Sequence, residues 1–555
     1  MTVRRPGALA TATIAAAALA VALSVQAIYR APLNVDEELT RRIASGRFGS
    51  IFSIVANQRG GGPLHFWLIH LTLQWPGGLI GLRAPSLVFF LLALPAVALA
   101  ARELAGTWPA VVTVVLTACA PLAISYDTFG RPHSLLLAWI SWGTYAALRA
   151  ARTGERRTWI VAGLALGTAI YSHPTAPIYE LSGFVAALAL VPGSWRDVVR
   201  QAWPGAAALA VTTLPYEAFT AGKLADRYGV SSRARHGRTF DHRPVWENAL
   251  RDMSPNVHGH VFLNWLTALA AAGVVVLVLR RSWRVLGALA AIIVLPVLFF
   301  TYVPANGLSA LFFDRYVLPP LPFFLLLAAI GAAGIASIAR RGAPVVLAVL
   351  AIVAVVTQLS VVRKHSHNLA KLQLTHVTKV VDAQSSDAVL FGTAGTQDLT
   401  GTLGAFNFGR GPYLLDRYLS MRIPSLPLVN DDTCVPVVAY LRGAQTPRHG
   451  LFLFYANEPA EQSAAAAAFK AIPRIVVQIP APRYFLIRTR SLAPRALVQL
   501  ALRIRRAWVA AEPKNPRAGD LVASDTQALD APGTCVPRGP FGDPDTSPNY
   551  PEIVT

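Results

Sequence analysis

Apolar residues fall along this chain in long blocks rather than at amphipathic spacing. The blocks run at 8–28, 84–102, 108–124, 132–150, 158–172, 175–191, 202–220, 262–280, 284–303, 315–338 and 343–361. Most reach or approach the ~20 residues with which a helix crosses a hydrocarbon layer. The pattern therefore predicts an α-helical multi-spanning membrane protein with about eleven transmembrane helices. A further apolar stretch, 64–75, carries His65 and His70 and runs into Pro76-Gly77-Gly78. It is too short to span and reads as an embedded or interfacial helix.

The polar residues between blocks set the topology. With the N-terminus inside, the inner loops hold Arg102, then Arg149, Arg152, Arg156 and Arg157, then Arg196 and Arg200, then Arg280, Arg281 and Arg284, then Arg340 and Arg341. That is the positive-inside distribution. Treating 64–75 as a span would turn all of these loops outward. The outer segments are then the first outer loop 29–83, a short turn around 127–131, a basic loop at 221–260, and everything after 362. Arg4 and Arg5 precede the first apolar run, and Val25-Gln26-Ala27 resembles a signal cleavage site. The length of the run favours an uncleaved helix.

Composition sharpens this picture. The chain is 54% hydrophobic and 14% charged, against about 25% charged in soluble proteins. Its net charge of +21 sits mainly at the ends of apolar blocks and in outer loops. This speaks for membrane lipids or a phosphate-bearing lipid as partners, and against nucleic acid. The expected location is the cytoplasmic membrane.

Residues 1–362 read as the membrane domain and 363–511 as an exported soluble α/β domain. Strands are expected at 388–391, 451–455, 475–479 and 484–487, and helices at 462–472 and 494–509. The last helix carries Arg495, Arg503, Arg505 and Arg506 and suits a membrane surface. The Pro- and Gly-rich segment 512–555 reads as an extended tail. Of three cysteines, Cys119 lies in an apolar block as a packing residue, whereas Cys434 and Cys535 form a disulfide candidate if exported. No Cys/His metal spacing exists, so neither metal nor cofactor is expected, although a divalent cation stays open.

Five polar motifs fall on the outer face. The first is Asn34-Val35-Asp36-Glu37. It reads either as an acidic pair facing a substrate or as a helix start, with Asn34 as cap and Glu37 as the capping-box residue. Gly60-Gly61-Gly62-Pro63-Leu64-His65 follows, its glycines allowing close backbone approach. Ser125 to His133 brings Asp127, Arg131 and His133 to a membrane boundary, as a functional group or as an Asp127–Arg131 ion pair. Tyr171-Ser172-His173-Pro174 adds another histidine, structural or functional. Phe313-Asp314-Arg315-Tyr316 is either a further site element or an interfacial anchor.

In this order the motifs resemble the GT-C glycosyltransferases, in particular the bacterial branch near the protein O-mannosyltransferases and the lipid A aminoarabinose transferases. Asp36-Glu37 matches the acidic pair of that family's first outer loop. Pro63-Leu64-His65-Phe66 matches its Pro-Leu-Tyr-like segment, and Leu82-Arg83-Ala84-Pro85-Ser86 the start of the next span. Ser125 to His133 matches a Tyr-Ser-x-x-x-Arg-x-Tyr-like turn, keeping Arg131 and placing His133 where an aromatic is usual. Tyr171-Ser172-His173 matches a Tyr-Thr-His-like triplet, and Arg315-Tyr316 through Pro319 an Arg-Tyr-x-x-Pro-like segment. The resemblance covers roughly 8–361.

The resemblance implies an inverting transfer of a sugar from a polyprenyl-phosphate donor to a glycan, glycolipid or protein acceptor outside the membrane. Mannose is slightly favoured over arabinose and aminoarabinose. Asp36 would be the general base and Glu37 its orienting neighbour or a helix cap. Arg131 and Arg315 would stabilise the phosphate, with His173 and Tyr316 lining the donor site. His65, Asp127, His133 and Asp314 are further candidates. The competing class is a multi-spanning transporter or lipid flippase, for which inverted repeats and broken helices at the midplane are the expected signs.

Overall fold

The computed structural model describes residues 7–30, 35–58, 61–74, 79–228, 245–254, 265–305, 314–338, 343–370, 388–392, 425–427, 446–455, 476–481 and 484–511. The described residues of each of the eleven apolar blocks are mainly helical. They form α1 (Ala8–Arg30), α5 (Leu79–Ala105), α6 (Thr107–Ala118) with α7 (Pro121–Asp127), α8 (His133–Thr153), α9 (Arg156–Thr168), α10 (Ala176–Leu190), α11 (Trp195–Tyr228), α13 (Trp265–Leu279), α14 (Trp283–Ala305), α15 (Leu321–Ile338) and α16 (Ala343–Ala370). The shorter helices are α2 (Val35–Ser45), α3 (Phe48–Phe52), α4 (Leu64–Leu73) and α12 (Val245–Met253).

Among the described residues, four helices are by themselves long and apolar enough to cross a membrane: parts of α1, α5 and α14, and the whole of α15. The α6–α7 pair, bent by 56°, makes a fifth if taken as one span. The protein is a multi-pass membrane protein. Two blocks depart from simple spans, both for want of a backbone donor at proline. The 108–124 block breaks just before Pro121, which takes the first turn of α7 where its missing N–H is harmless. The 315–338 block opens on a 3₁₀ turn, Asp314–Val317, and becomes helical only after Pro319 and Pro320. Arg315 and Tyr316 thus stand on a turn ahead of the helix.

Lipid is as apolar as leucine, so helices in a bilayer associate through close packing rather than by leaving water. Small residues mark those contacts here. A side chain at Gly273 of α13 would strike the Leu327 carbonyl of α15, and one at Gly331 of α15 would strike the Leu269 carbonyl of α13. Gly163 of α9 meets the Gly205 carbonyl of α11 in the same way. The outward faces are apolar: Val211, Val275, Leu298 and Val349 are exposed, and Trp108, Trp195, Trp265 and Trp283 stand exposed at helix ends, where interfacial tryptophans belong.

The chain divides into two compact units, Met1–Ala31 with Leu39–Asn368, and Pro32–Glu38 with Leu369–Thr555. The second contains a five-stranded sheet in the order β2-β1-β3-β5-β4. Its strands are β1 (Ala388–Gly392), β2 (Ser425–Pro427), β3 (Arg448–Tyr455), β4 (Val476–Ala481) and β5 (Tyr484–Leu492). β1 runs parallel to β2 and β3, while β5 is antiparallel to both β3 and β4. Helix α17 (Pro494–Ala511) buries Leu497, Ala501 and Ile504 at helical spacing and exposes Arg495 and Arg503. The expected helix at 462–472, the tail 512–555, Cys434 and Cys535 lie outside the described residues.

Candidate functional site

The site is assembled from the ends of several helices. α2 starts at Val35, so Asp36 and Glu37 occupy its first turn, where acidic groups favour the positive end of the helix dipole. Asn34 and the side chain of Asp36 lie outside the described residues, and the Glu37 side chain is buried. One turn on, Thr40 accepts a hydrogen bond from Arg131 Nη1 at 3.3 Å.

Arg131 belongs to a group of basic side chains drawn from separate elements. Arg131 lies in the turn between α7 and α8, His133 opens α8, His173 precedes α10, and Arg315 sits on the 3₁₀ turn before α15. The rings of His133 and His173 stand 5.3 Å apart, and His173 is 6.1 Å from Tyr316. The Arg315 guanidinium lies 5.6 Å from the centre of the Tyr316 ring. His133 lies within electrostatic reach of His173, Arg315, Arg131 and His65. Clustered guanidinium and imidazole groups are chemically suited to an anion.

The ring of His173 is fixed. Its Nδ1 accepts from the Thr175 backbone N–H at 3.2 Å and lies 2.8 Å from the Thr175 hydroxyl oxygen. The neutral ring therefore carries its proton on Nε2. Tyr316 is buried and stacks on Phe300 at 4.6 Å, and its carbonyl accepts from the Tyr179 hydroxyl at 2.7 Å. This fixes the turn that bears Arg315.

Close backbone contacts hold these turns together. A Cβ on Gly62 would strike the backbone of Tyr171 and Ser172, just before His173. The Gly61 carbonyl accepts from the Tyr216 hydroxyl at 2.6 Å. The glycine run thus serves the approach of two chain segments. Gly130 packs against the backbone and side chain of Leu82, and the Ser86 hydroxyl donates to the Phe129 carbonyl at 2.7 Å. Ser86 comes from the start of α5, so that motif anchors the Arg131 turn. His65 is fully buried beside Phe66.

Two carboxylates behave differently from expectation. Asp127 does not pair with Arg131; it turns towards α1, where the Ser24 hydroxyl donates to it at 2.7 Å. Glu180, on α10, is buried and accepts from the Thr213 hydroxyl of α11 at 2.8 Å. Sequence reading passed over Glu180, although an acidic residue inside an apolar block is a signal in its own right. The side chain of Asp314 lies outside the described residues. Among the described residues, no three His, Cys, Asp or Glu side chains group closely enough to hold a metal ion. Cys119 is buried, its thiol within 3.5 Å of the Gln358 amide, which agrees with a packing role.

Residues 60–216 match the profile of the family described as dolichyl-phosphate-mannose-protein mannosyltransferase. That stretch contains His65, Arg131, His133 and His173. The structure resembles ArnT from Cupriavidus metallidurans in the apo state, with a TM-score of 0.53 at 14% identity, over 87% of this chain and 98% of that one. The same enzyme bound to undecaprenyl phosphate gives 0.49 at 14% identity, over 86% and 97%. The arabinofuranosyltransferase AftD from Mycobacteria gives 0.42 at 13% identity, over 87% and 40%. No curated protein matches the sequence. The chain shares its overall fold with ArnT.

Proposed function

We propose that this protein transfers a sugar from a polyprenyl-phosphate donor to a cell-envelope acceptor on the outer face of the cytoplasmic membrane, inverting the anomeric centre. The observation that supports it best is the gathering of Arg131, His133, His173 and Arg315 from four separate elements at one end of the helical unit. Mannose is the favoured sugar, in line with the profile matched by 60–216; arabinose and aminoarabinose are the alternatives. The acceptor is a glycan, glycolipid or exported protein.

In this reading the polyprenyl tail stays in the bilayer and its phosphate meets Arg131 and Arg315, whose planar donors match phosphate oxygens in pairs. Asp36 takes the proton from the acceptor hydroxyl. The freed oxygen attacks the anomeric carbon from the side opposite the phosphate, as inversion requires. The bond from that carbon to the phosphate oxygen breaks, and its electrons remain on the departing phosphate. Positive charge placed beforehand around that oxygen lowers the barrier. No strong general acid is needed, because the leaving group is already a stable anion. His173 and Tyr316 line the donor site, with Nε2–H of His173 as a donor. Glu37 orients Asp36 or stabilises the start of α2.

The test uses purified wild type and Asp36→Asn in nanodiscs, with radiolabelled polyprenyl-phosphate sugars and envelope extract. Transfer by wild type and none by the variant supports the class, the donor and the base. Equal transfer by both removes Asp36 from the mechanism. Folded wild type that consumes no donor overturns the enzymatic reading in favour of transport.

A further inference from the structure

The helices that carry the basic cluster at one end carry a second, separate feature at the other. Along α8, His133 and Arg152 are separated by a helical rise of about 28 Å, close to the thickness of a bilayer's hydrocarbon core. At the Arg152 end lies a cavity of about 580 Å³. Arg102 at the end of α5, Arg152 of α8 and Arg280 after α13 form its polar wall, and Leu277 and Ile330 belong to its apolar wall.

The charges in this cavity do not cancel. Glu103 is largely buried and pairs with Arg152 at 2.7 Å. Arg102 and Arg280 have no ion pair among the described residues. Two arginines without an ion pair among the described residues therefore line one cavity, joined by Thr107 in the first turn of α6, where backbone N–H groups are free of helical partners. The turn presenting Arg280 is tightly closed: the Ser282 N–H bonds to the Leu277 carbonyl and the Arg281 N–H to the Val278 carbonyl. This closure places Arg281 at φ 54, in the left-handed region where glycine is the usual occupant. A strained arginine next to Arg280 points to a use for this turn beyond reversing the chain.

We infer that this cavity is a binding site for the phosphate headgroup of an anionic phospholipid, distinct from the basic cluster at the opposite end of the helices. Two unpaired guanidinium groups match one phosphate, and the apolar wall of α13 and α15 accepts the start of an acyl chain. A soluble phosphate would use the polar wall alone. Basic pockets between membrane helices recognise headgroups in this manner.

The test reconstitutes the full-length protein in phosphatidylcholine vesicles doped with phosphatidylglycerol and counts, by native mass spectrometry, the phosphatidylglycerol retained after extraction. The double variant Arg102→Gln/Arg280→Gln is expected to retain roughly 30-fold less, each arginine near the surface contributing about a factor of five. The double lysine variant keeps the charge, controls for folding and should retain most of the lipid. Arg131→Gln should retain as much as wild type, which separates this site from the proposed donor site. Equal retention by the glutamine and wild-type proteins overturns the proposal. Inorganic phosphate that displaces the lipid at millimolar concentration would reassign the cavity to a soluble phosphate.

Discussion

The rings of His133 and His173 stand 5.3 Å apart, although one opens α8 and the other precedes α10. His173 is held from behind by Thr175, whereas His133 Nε2 has no hydrogen-bond partner among the described residues. This asymmetry gives the pair distinct roles: His173 offers a fixed Nε2–H to a ligand, and His133 packs edge-on to Tyr126 at 5.0 Å. His173→Ala is expected to lower kcat/KM for sugar transfer on the order of 100-fold, as loss of one fixed donor at a developing charge does. Thr175→Val keeps the amide bond and should cost less than tenfold, on the same scale. Steady-state kinetics on the two variants checks the order.

Arg131 and Arg315 reach the same region from different turns. Replacing either by Ala should reduce kcat/KM about 100-fold or more. Lysine should restore only part, since it supplies charge without the planar pair of donors. Because both are proposed to serve one phosphate, the double variant should lose less than the product of the single losses. Strict multiplicativity in a double-mutant cycle would show that they act at separate places.

Gly62 leaves no room for a methyl group, since a Cβ there meets the backbone of Tyr171 and Ser172. A backbone cannot move aside as a flexible side chain can. Gly62→Ala is expected to destabilise the protein by about 1–3 kcal/mol through overpacking, seen as a lower Tm in detergent. Gly49, with open space around its Cβ position, is the matched control, and Gly49→Ala should leave Tm near wild type.

The helices were legible because apolar block length is a direct reading of what a bilayer demands. The breaks within them came from Pro121 and from Pro319-Pro320, which the sequence displays but whose effect depends on which backbone carbonyls need a partner. The outer-face motifs were found by residue type, and Arg131, His133 and His173 do come together. Their supports were not legible. That Ser86 holds the Phe129 carbonyl, or that Tyr179 holds the Tyr316 carbonyl, depends on which helices are neighbours, and block length says nothing of that. The Asp127–Arg131 pair looked plausible from spacing alone, yet Asp127 ends α7 facing Ser24 of α1. Glu180 was missed because a single acid within an apolar run barely alters its average.

Glu180 decides whether a buried charge-bearing group in this fold is structural or functional. It accepts one hydrogen bond, from Thr213, and its other carboxyl oxygen has no partner among the described residues. Removing only the donor, in Thr213→Val, leaves the carboxyl with no hydroxyl to bind and should cost about 1–3 kcal/mol. Removing both, in Glu180→Leu/Thr213→Val, replaces a polar pair by packed apolar groups and should recover most of that loss. Thermal unfolding of the three proteins in the same detergent gives the comparison. A structural pair predicts that the double variant also transfers sugar at the wild-type rate, since Glu180 lies beyond the first turn of α10 while the basic cluster sits ahead of it. Full stability together with lost transfer would instead make Glu180 part of the functional machinery, and would explain why an acid is kept among helices that otherwise exclude charge.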